Sequence, residues 1–248
     1  MTDSFWYLVY IGSMAAGALL FYAWSRKPSG VPKDEYWVAT VIPIWSGLMY
    51  FSMLTGQTVI TGPDGDTLYL GRYLDWVVTT PLLLWALAST AHFYRPHDRP
   101  LLAGLIITDI IMIISGLMAD IAQADWVRWF WFATGTACLL IIIAITWGRL
   151  RRDAYHDGPE LGKAYDKVAA FLTAAWIGYP LIWALGPTGA DVIGPGLSIP
   201  LLVLLPIASK VGFSIFDLHE LRKIGAKRPG YQPARVQEAM QAMQSPAE

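Results

Sequence analysis

The sequence has few charged residues and a single cysteine. Only 15% of its 248 residues are charged and 55% are hydrophobic, a balance that excludes an ordinary soluble domain. Cys138 cannot form an intramolecular disulfide and is expected to be a small buried apolar residue. Metal-ligand spacings, phosphate-binding glycine loops and nucleic-acid motifs are missing, so we expect no metal site, no nucleic-acid partner and no enzymatic activity.

Seven apolar segments occupy most of the chain. Each approaches the roughly 20 residues that a helix needs to cross a bilayer. Their side chains are apolar on every face, whereas the strands of a membrane barrel alternate. The sequence therefore predicts an all-α membrane protein, a bundle of seven transmembrane helices with spans at residues 5–24, 36–54, 73–91, 101–119, 126–147, 164–185 and 197–221.

The distribution of lysine and arginine predicts the orientation. These residues concentrate in the connections after the first, third and fifth spans and after the seventh, while the other connections have few. The positive-inside rule then places the N-terminus outside and the C-terminus in the cytoplasm. The first span is long enough to cross the bilayer and has no cleavage site, so we expect no removable signal peptide and a multi-pass protein of the plasma membrane.

Two segments outside the spans have their own patterns. Residues 58–60 and 67–70 flank the turn-forming run 62–65, which predicts a small hairpin. We assign residues 1–226 to the transmembrane domain and 227–248 to a cytoplasmic tail. The tail is interpreted as flexible, with two alternatives: its basic cluster touches anionic lipid head groups, or its methionines bind a soluble partner.

A lysine lies near the middle of the seventh span. Lys210 is too far from either end to reach water, and an ammonium group there is costly. Desolvation favours its neutral form, which is also the form that reacts with an aldehyde to give a Schiff base. The charge alone leaves two interpretations open, a paired lysine of a transporter and a cofactor attachment site.

The third span favours the cofactor site. Asp75 and Thr79 are four residues apart and share a helix face, so Thr79 is expected to hydrogen-bond the carboxylate. Arg72, one turn toward the outside, is expected to hold Asp75 ionised, and Asp75 then neutralises a protonated Schiff base.

The sixth span adds an aromatic face. Trp176, Tyr179, Pro180 and Trp183 recur at helical spacing. Such a stripe is often plain core packing, but beside a buried lysine and a carboxylate it indicates the wall of a long apolar ligand site.

Four more acidic residues have less certain roles. Asp217 lies seven residues after Lys210, about 10.5 Å toward the cytoplasm in a regular helix, and its alternative role is an ion pair with Arg222 or Lys223. Glu35 is interpreted as a solvated residue at a helix start or as a surface proton relay. Asp120 is expected at the membrane interface. No role is predicted for Asp109.

The residues of these three spans resemble those of the microbial (type 1) rhodopsins. The matching motifs are the run 72–84, the Trp-x-x-Tyr-Pro-x-x-Trp at 176–183 and Ser-Lys-Val-Gly-Phe at 209–213. The resemblance implies all-trans retinal bound to Lys210, with Asp75 as primary counter-ion and usual proton acceptor. It also implies pocket positions at Trp76, Thr80, Trp131, Trp176, Tyr179, Trp183, Pro206 and Ser209.

Departures from the family's outward proton pumps indicate a subgroup. Those pumps have carboxylates at the positions of Pro206, Ala86 and Ser198, so an outward pump is disfavoured. Pro206 with Asp75 and Asp217 resembles the xenorhodopsin group, to which Anabaena sensory rhodopsin belongs, and so do the runs 42–48, 125–128, 204–206 and 217–219.

That group implies two functions. The first is inward proton pumping, in which the Schiff base releases its proton toward Asp217 and regains one from the side of Asp75. The second is a photosensor read by a soluble transducer, and a weak channel or a transporter without retinal are further alternatives. The resemblance also implies a homo-oligomer, a trimer or another small assembly, in the lipid membrane.

Overall fold

The computed structural model describes residues 3–61 and 67–227, and nearly all of them are helical. The elements are α1 (Asp3–Ser25), α2 (Lys33–Leu54), β1 (Ile60–Thr61), β2 (Thr67–Leu68), α3 (Leu70–Ala91), α4 (Arg99–Asp120), α5 (Asp125–Ile145), a π-helical turn (Thr146–Leu150), α6 (Arg151–His156), α7 (Pro159–Leu185), α8 (Pro195–Ile207), a second π-helical turn (Ala208–Gly212) and α9 (Phe213–Ala226).

Seven helices within this part of the chain are long and apolar enough to cross a membrane. The fifth runs without a break through α5, the first π turn and α6, and the seventh through α8, the second π turn and α9. The predicted seven-helix bundle is therefore confirmed. Its orientation remains a prediction, and we name the two ends of the bundle, extracellular and cytoplasmic, accordingly.

The helices are longer than the apolar segments that predicted them. The fifth was expected to end at residue 147 but continues to His156, because its last turns are rich in arginine, a good helix former that hydropathy does not mark. The sixth begins at Pro159, a favoured residue for the first helical position. Hydropathy thus located the part of each helix in the bilayer and missed its polar ends.

The predicted hairpin is present in a shorter form. Ile60 pairs with Leu68 and Thr61 pairs with Thr67 in an antiparallel ladder. The predicted turn at 62–65 lies outside the described residues.

The outer surface of the bundle is apolar, as lipid requires. Large hydrophobic side chains are more than half exposed at positions such as Leu19, Trp126 and Leu140. Buried ionisable residues lie inside, among them Asp75, Asp109, Lys210 and Asp217. This inversion of the usual pattern marks the interior as the site of any polar chemistry.

A proline inside α8 leaves one carbonyl without its helical donor. Pro206 has no N–H for the carbonyl of Leu202, and the hydroxyl of Tyr50 on α2 donates to that oxygen at 3.1 Å. Tyr50 is fully buried and stacks on Tyr10 of α1, with ring centroids 3.5 Å apart. The seventh helix is thereby fixed to the first two just before Lys210.

Replacing Tyr50 by phenylalanine should lower the free energy of unfolding by about 1–3 kcal/mol, because the Leu202 carbonyl is left buried without a donor. Chemical or thermal unfolding of the purified protein measures the difference. The same change in a Pro206→Ala background should cost less, since alanine returns the N–H. The exposed Tyr22→Phe is the control, and equal costs in both backgrounds would contradict this assignment.

Ion pairs join the third and fifth helices at the cytoplasmic end. His92 Nε2 lies 3.2 Å from Asp153 Oδ2, and Arg149 Nε donates to the same oxygen at 3.1 Å. Arg95 Nε donates to Asp157 at 2.8 Å. These contacts hold the cytoplasmic extension of the fifth helix against the end of α3.

This arrangement predicts a pH dependence of stability. Burial raises the pKa of Asp157, but the hydrogen bonds and charge of Arg95 outweigh it and hold that pKa below its ordinary value, about 4. Because the folded-state pKa is the lower one, the stabilisation is complete above about pH 4 and is lost as the pH falls through the lowered pKa. The melting temperature of wild type should exceed that of Asp157→Asn near neutrality, and the difference should vanish in acid. Asp125→Asn, at an exposed pair with Arg128, is the control, and a difference independent of pH would refute the prediction.

Candidate functional site

Lys210 lies in the second π turn and is 1% exposed. Its Nζ forms an ion pair with Asp75 of α3 and donates to Ser46 Oγ of α2 at 2.9 Å. The hydroxyl of Tyr10 on α1 is 3.4 Å away. A buried ammonium needs both an opposite charge and hydrogen-bond acceptors, and this one has a carboxylate and two hydroxyls around it.

The carboxylate of Asp75 is fully buried and accepts two further hydrogen bonds. Thr79 Oγ1 donates to Oδ1 at 3.1 Å, which confirms the predicted pairing, and Ser46 Oγ donates to Oδ2 at 2.9 Å. These hydrogen bonds fix the orientation of the carboxylate beside the lysine. Ser46 and Tyr10 were not predicted, and the sequence signal that could have found Ser46 is a lone hydroxyl inside an apolar span.

Arg72 does not hold Asp75 as predicted. Among the described residues, the ion-pair partner of Asp75 is Lys210. The guanidinium of Arg72 instead lies over the ring of Tyr69, 4.3 Å from its centroid, so the neighbouring cation of Asp75 is the lysine itself.

A cavity of about 490 Å³ lies between the third, fourth, fifth, sixth and seventh helices, within the roughly 300–1,000 Å³ of small-molecule sites. The predicted sixth-span face, Trp176, Tyr179, Pro180 and Trp183, lines it. Three other predicted pocket residues also line it: Trp76, Thr80 and Trp131. The aromatic residues of the sixth span therefore line a cavity, and Trp176 and Tyr179 also pack in the core of the bundle.

Lys210, Asp75, Pro206 and Ser209 are not among the described residues that line this cavity. Both Pro206 and Ser209 are buried, and their contact with a cofactor stays a prediction. Ser209 hydrogen-bonds the hydroxyl of Tyr179 at 2.9 Å.

The lysine and the cavity are nevertheless neighbours. Tyr179 lines the cavity and contacts Ser209, the residue before Lys210. Trp76, the residue after Asp75, meets the Tyr179 ring edge-on with centroids 5.4 Å apart. A cavity of this volume with an aromatic wall, beside a buried amine, fits an apolar aldehyde that condenses with that amine.

Two carboxylates on α4 contact the cavity wall. Asp109 is fully buried and accepts from Thr80 Oγ1 at 2.7 Å. Asp120, expected at the membrane interface, lines the cavity and accepts from Tyr73 at 2.7 Å and from Trp183 Nε1 at 2.9 Å. Both carboxylates hold residues of the cavity wall in place by hydrogen bonds between helices. The spacing of residues within one helix cannot predict such contacts.

Asp217 lies on α9 toward the cytoplasmic end and is 3% exposed. Thr90 Oγ1 of α3 donates to it at 2.5 Å. The cations proposed as alternative partners have other contacts: Arg222 donates to Tyr36 Oη at 2.9 Å, and Lys223 donates to Glu220 at 2.6 Å. Asp217 is thus an internal carboxylate.

Glu35 was interpreted as a solvated residue, and this is wrong. Its side chain is 2% exposed in the first turn of α2. The connection after α1 covers this region, where Tyr36 donates to the carbonyl of Pro28 at 2.8 Å.

A family model described as bacteriorhodopsin-like protein matches residues 1–224. The chain belongs to the bacteriorhodopsin-like family. Archaerhodopsin-3 of Halorubrum sodomense is 31% identical over 87% of this chain and 84% of its own length. Proteins of this family bind retinal through a Schiff base to a lysine, and light-driven proton pumps are among this chain's homologues.

Solved structures of bacteriorhodopsin-like proteins have the same fold. Thermophilic rhodopsin from Rubrobacter xylanophilus has a TM-score of 0.85 at 26% identity, over 91% of this chain and 98% of that one. A cyanorhodopsin from Tolypothrix sp. NIES-4075 has a TM-score of 0.81 at 28% identity, over 92% and 98%. These similarities leave the subgroup open, so they do not test the xenorhodopsin assignment.

Proposed function

We propose that this bacteriorhodopsin-like protein is a light-driven inward proton pump of the xenorhodopsin type, with retinal on Lys210. The observation that supports it most is the buried carboxylate of Asp217, on the same helix as Lys210 and toward the cytoplasmic end. The second support comes from the resemblance described above. This chain has Pro206, Ala86 and Ser198 at three positions where the resemblance implies carboxylates in outward pumps.

The buried amine and the adjacent cavity fit the cofactor. Lys210 is the attachment residue, and the wall of Trp76, Trp176, Tyr179 and Trp183 encloses an apolar polyene. Retinal, when bound, supplies a light-driven isomerisation and makes the lysine nitrogen a protonatable Schiff base.

The hydrogen bonds around the lysine favour proton release away from Asp75. Thr79 and Ser46 donate to the two oxygens of that carboxylate, so it keeps its role as counter-ion. Pro206 leaves no second carboxylate at its position on the extracellular side of the nitrogen. The nitrogen of Lys210 then gives its proton toward Asp217 and takes the next one from the side of Asp75.

A photosensor is the second candidate function, and packing at the cytoplasmic end favours it. A Cβ atom on Gly30, in the connection after α1, would lie 2.7 Å from the carbonyl oxygen of Gly225 on α9. Arg222 also donates to the carbonyl of Lys27 at 2.8 Å. A movement of the seventh helix would therefore reach the cytoplasmic surface, where a soluble transducer could read it.

Illumination of cells expressing the protein in unbuffered salt distinguishes the two functions. We expect alkalinisation of the medium that a protonophore abolishes and that a Lys210→Ala strain lacks. A retinal-loaded protein with no change of external pH would favour the sensor instead. A purified protein that gains no visible band with all-trans retinal, or one that hydroxylamine in light leaves unchanged, would refute both.

A further inference from the structure

Arg72 is a buried cation that forms no ion pair with any carboxylate in the described part of the chain. The residue is 9% exposed, and its Nε and Nη2 atoms are buried without a hydrogen-bond partner among the described residues. The Tyr69 ring lies under the guanidinium, and the hydroxyl groups of Tyr50 and Tyr73 interact with its charge. Arginine stays protonated in proteins, so the positive charge is permanent, and an unpaired buried charge is strongly unfavourable.

The positions of the acidic residues explain why Arg72 has no ion pair with a described carboxylate. Asp75 forms its ion pair with Lys210, and two other positions toward the extracellular end of the seventh helix, Pro206 and Ser198, have uncharged residues. Asp120 also lines the cavity, but its two oxygens accept from Tyr73 and Trp183. No described carboxylate forms an ion pair with the Arg72 guanidinium.

The cavity gives a second component access to this cation. Arg72 and the buried Ser198 both line it, together with the hydroxyl-bearing Thr67 and Thr188. Arg72 precedes Trp76 by one helical turn and Ser198 precedes Leu202 by one turn, about 6 Å toward the extracellular end. This end of the cavity therefore has polar groups beside Trp183, the part of the aromatic wall nearest the end of α7.

We propose that Arg72 and Ser198 form a binding site for a small monovalent anion such as chloride, entering from the extracellular end of the cavity. The guanidinium supplies the charge and the serine hydroxyl supplies a neutral donor. The bound anion supplies the negative charge that no described carboxylate brings to Arg72. The site exists whichever way the Schiff-base proton moves, because it depends on the charge balance of this half of the bundle.

Exchange of sodium gluconate for sodium chloride at constant ionic strength tests the site. With purified full-length protein, the melting midpoint of the retinal-free form should rise by a few degrees in chloride, since a ligand that binds only the folded state stabilises it. The visible band of the retinal-loaded form should shift and saturate over the same chloride range.

Three variants and a control sharpen the test. Arg72→Gln should remove both responses, and Ser198→Ala should raise the half-saturating chloride concentration by about tenfold. Ser198→Asp should remove the chloride response while raising the melting midpoint in gluconate, because a fixed carboxylate then compensates Arg72. Arg128→Gln, at a partly exposed arginine paired with Asp125, should respond like wild type.

Identical melting and spectra in gluconate and chloride would overturn the proposal, because water alone would then satisfy Arg72. A full chloride response in Ser198→Asp would also overturn it. If Arg72→Gln does not fold, the two Ser198 variants still decide the question.

Discussion

Replacing Lys210 by alanine is expected to abolish the visible band that the wild-type protein should gain with all-trans retinal, and with it every light response. Lys210 is the amine held beside the aromatic cavity, through Ser209 and Tyr179. Absorption spectra of the reconstituted protein measure the loss. Lys223→Ala, in the last turns of the same seventh helix, should keep the band, since its side chain pairs with Glu220 at the cytoplasmic end.

The same substitution should also destabilise the retinal-free protein, by about 3–5 kcal/mol, because it leaves the charge of Asp75 buried without its partner. The double variant Lys210→Ala with Asp75→Asn should recover much of that loss, since no charge remains to be compensated. Denaturant unfolding of the four proteins gives the coupling free energy. Additive effects would show that Lys210 and Asp75 do not stabilise each other.

Replacing Asp217 by asparagine is expected to reduce light-driven inward proton movement at least about tenfold while the visible band is retained. Asparagine keeps a hydrogen-bonding partner for Thr90 but cannot take up a proton, and a positioned acid or base typically contributes a large rate factor. The initial rate of alkalinisation per retinal-loaded molecule is the measurement.

Glu220→Gln is the matched control for Asp217→Asn. Glu220 is also a buried carboxylate of α9, but it pairs with Lys167 at 3.2 Å and Lys223 at 2.6 Å and is therefore already committed to cations. We expect its proton movement to stay near the wild-type rate. If the wild type pumps protons inward and Asp217→Asn pumps them at the same rate, Asp217 is not part of the proton path.

The parts of the site that sequence could predict lie within single helices. Asp75 and Thr79 are one turn apart, and the aromatic residues of the sixth span repeat at helical spacing, so a regular helix brings each set to one face. A lysine amid apolar residues is conspicuous because a membrane interior rarely contains one. The seven spans follow from the same argument of length and hydropathy.

The parts that sequence could not predict depend on contacts between helices. Ser46 and Tyr10 reach Lys210 from α2 and α1, and Asp109 is placed by Thr80 across two helices. The prediction that Arg72 contacts Asp75 was wrong for a related reason. A long side chain one turn from a carboxylate has several rotamers, and here the guanidinium lies over the Tyr69 ring. Glu35 is buried in the first turn of α2, and no pattern within one helix records that burial.

The π-helical turn at Ala208–Gly212 makes the seventh helix tolerant of a change in length at one place. A π turn accommodates an extra residue in the ladder of an α-helix. Deleting the residue after Lys210 should therefore restore a regular α-helix and leave Asp217 facing nearly the same way. Deleting a residue between Phe213 and Asp217, in the regular helix α9, would instead rotate everything that follows by about 100° about the axis. A single-codon deletion is thus nearly silent for the orientation of Asp217 on one side of Phe213 and turns its carboxylate toward a different neighbour on the other.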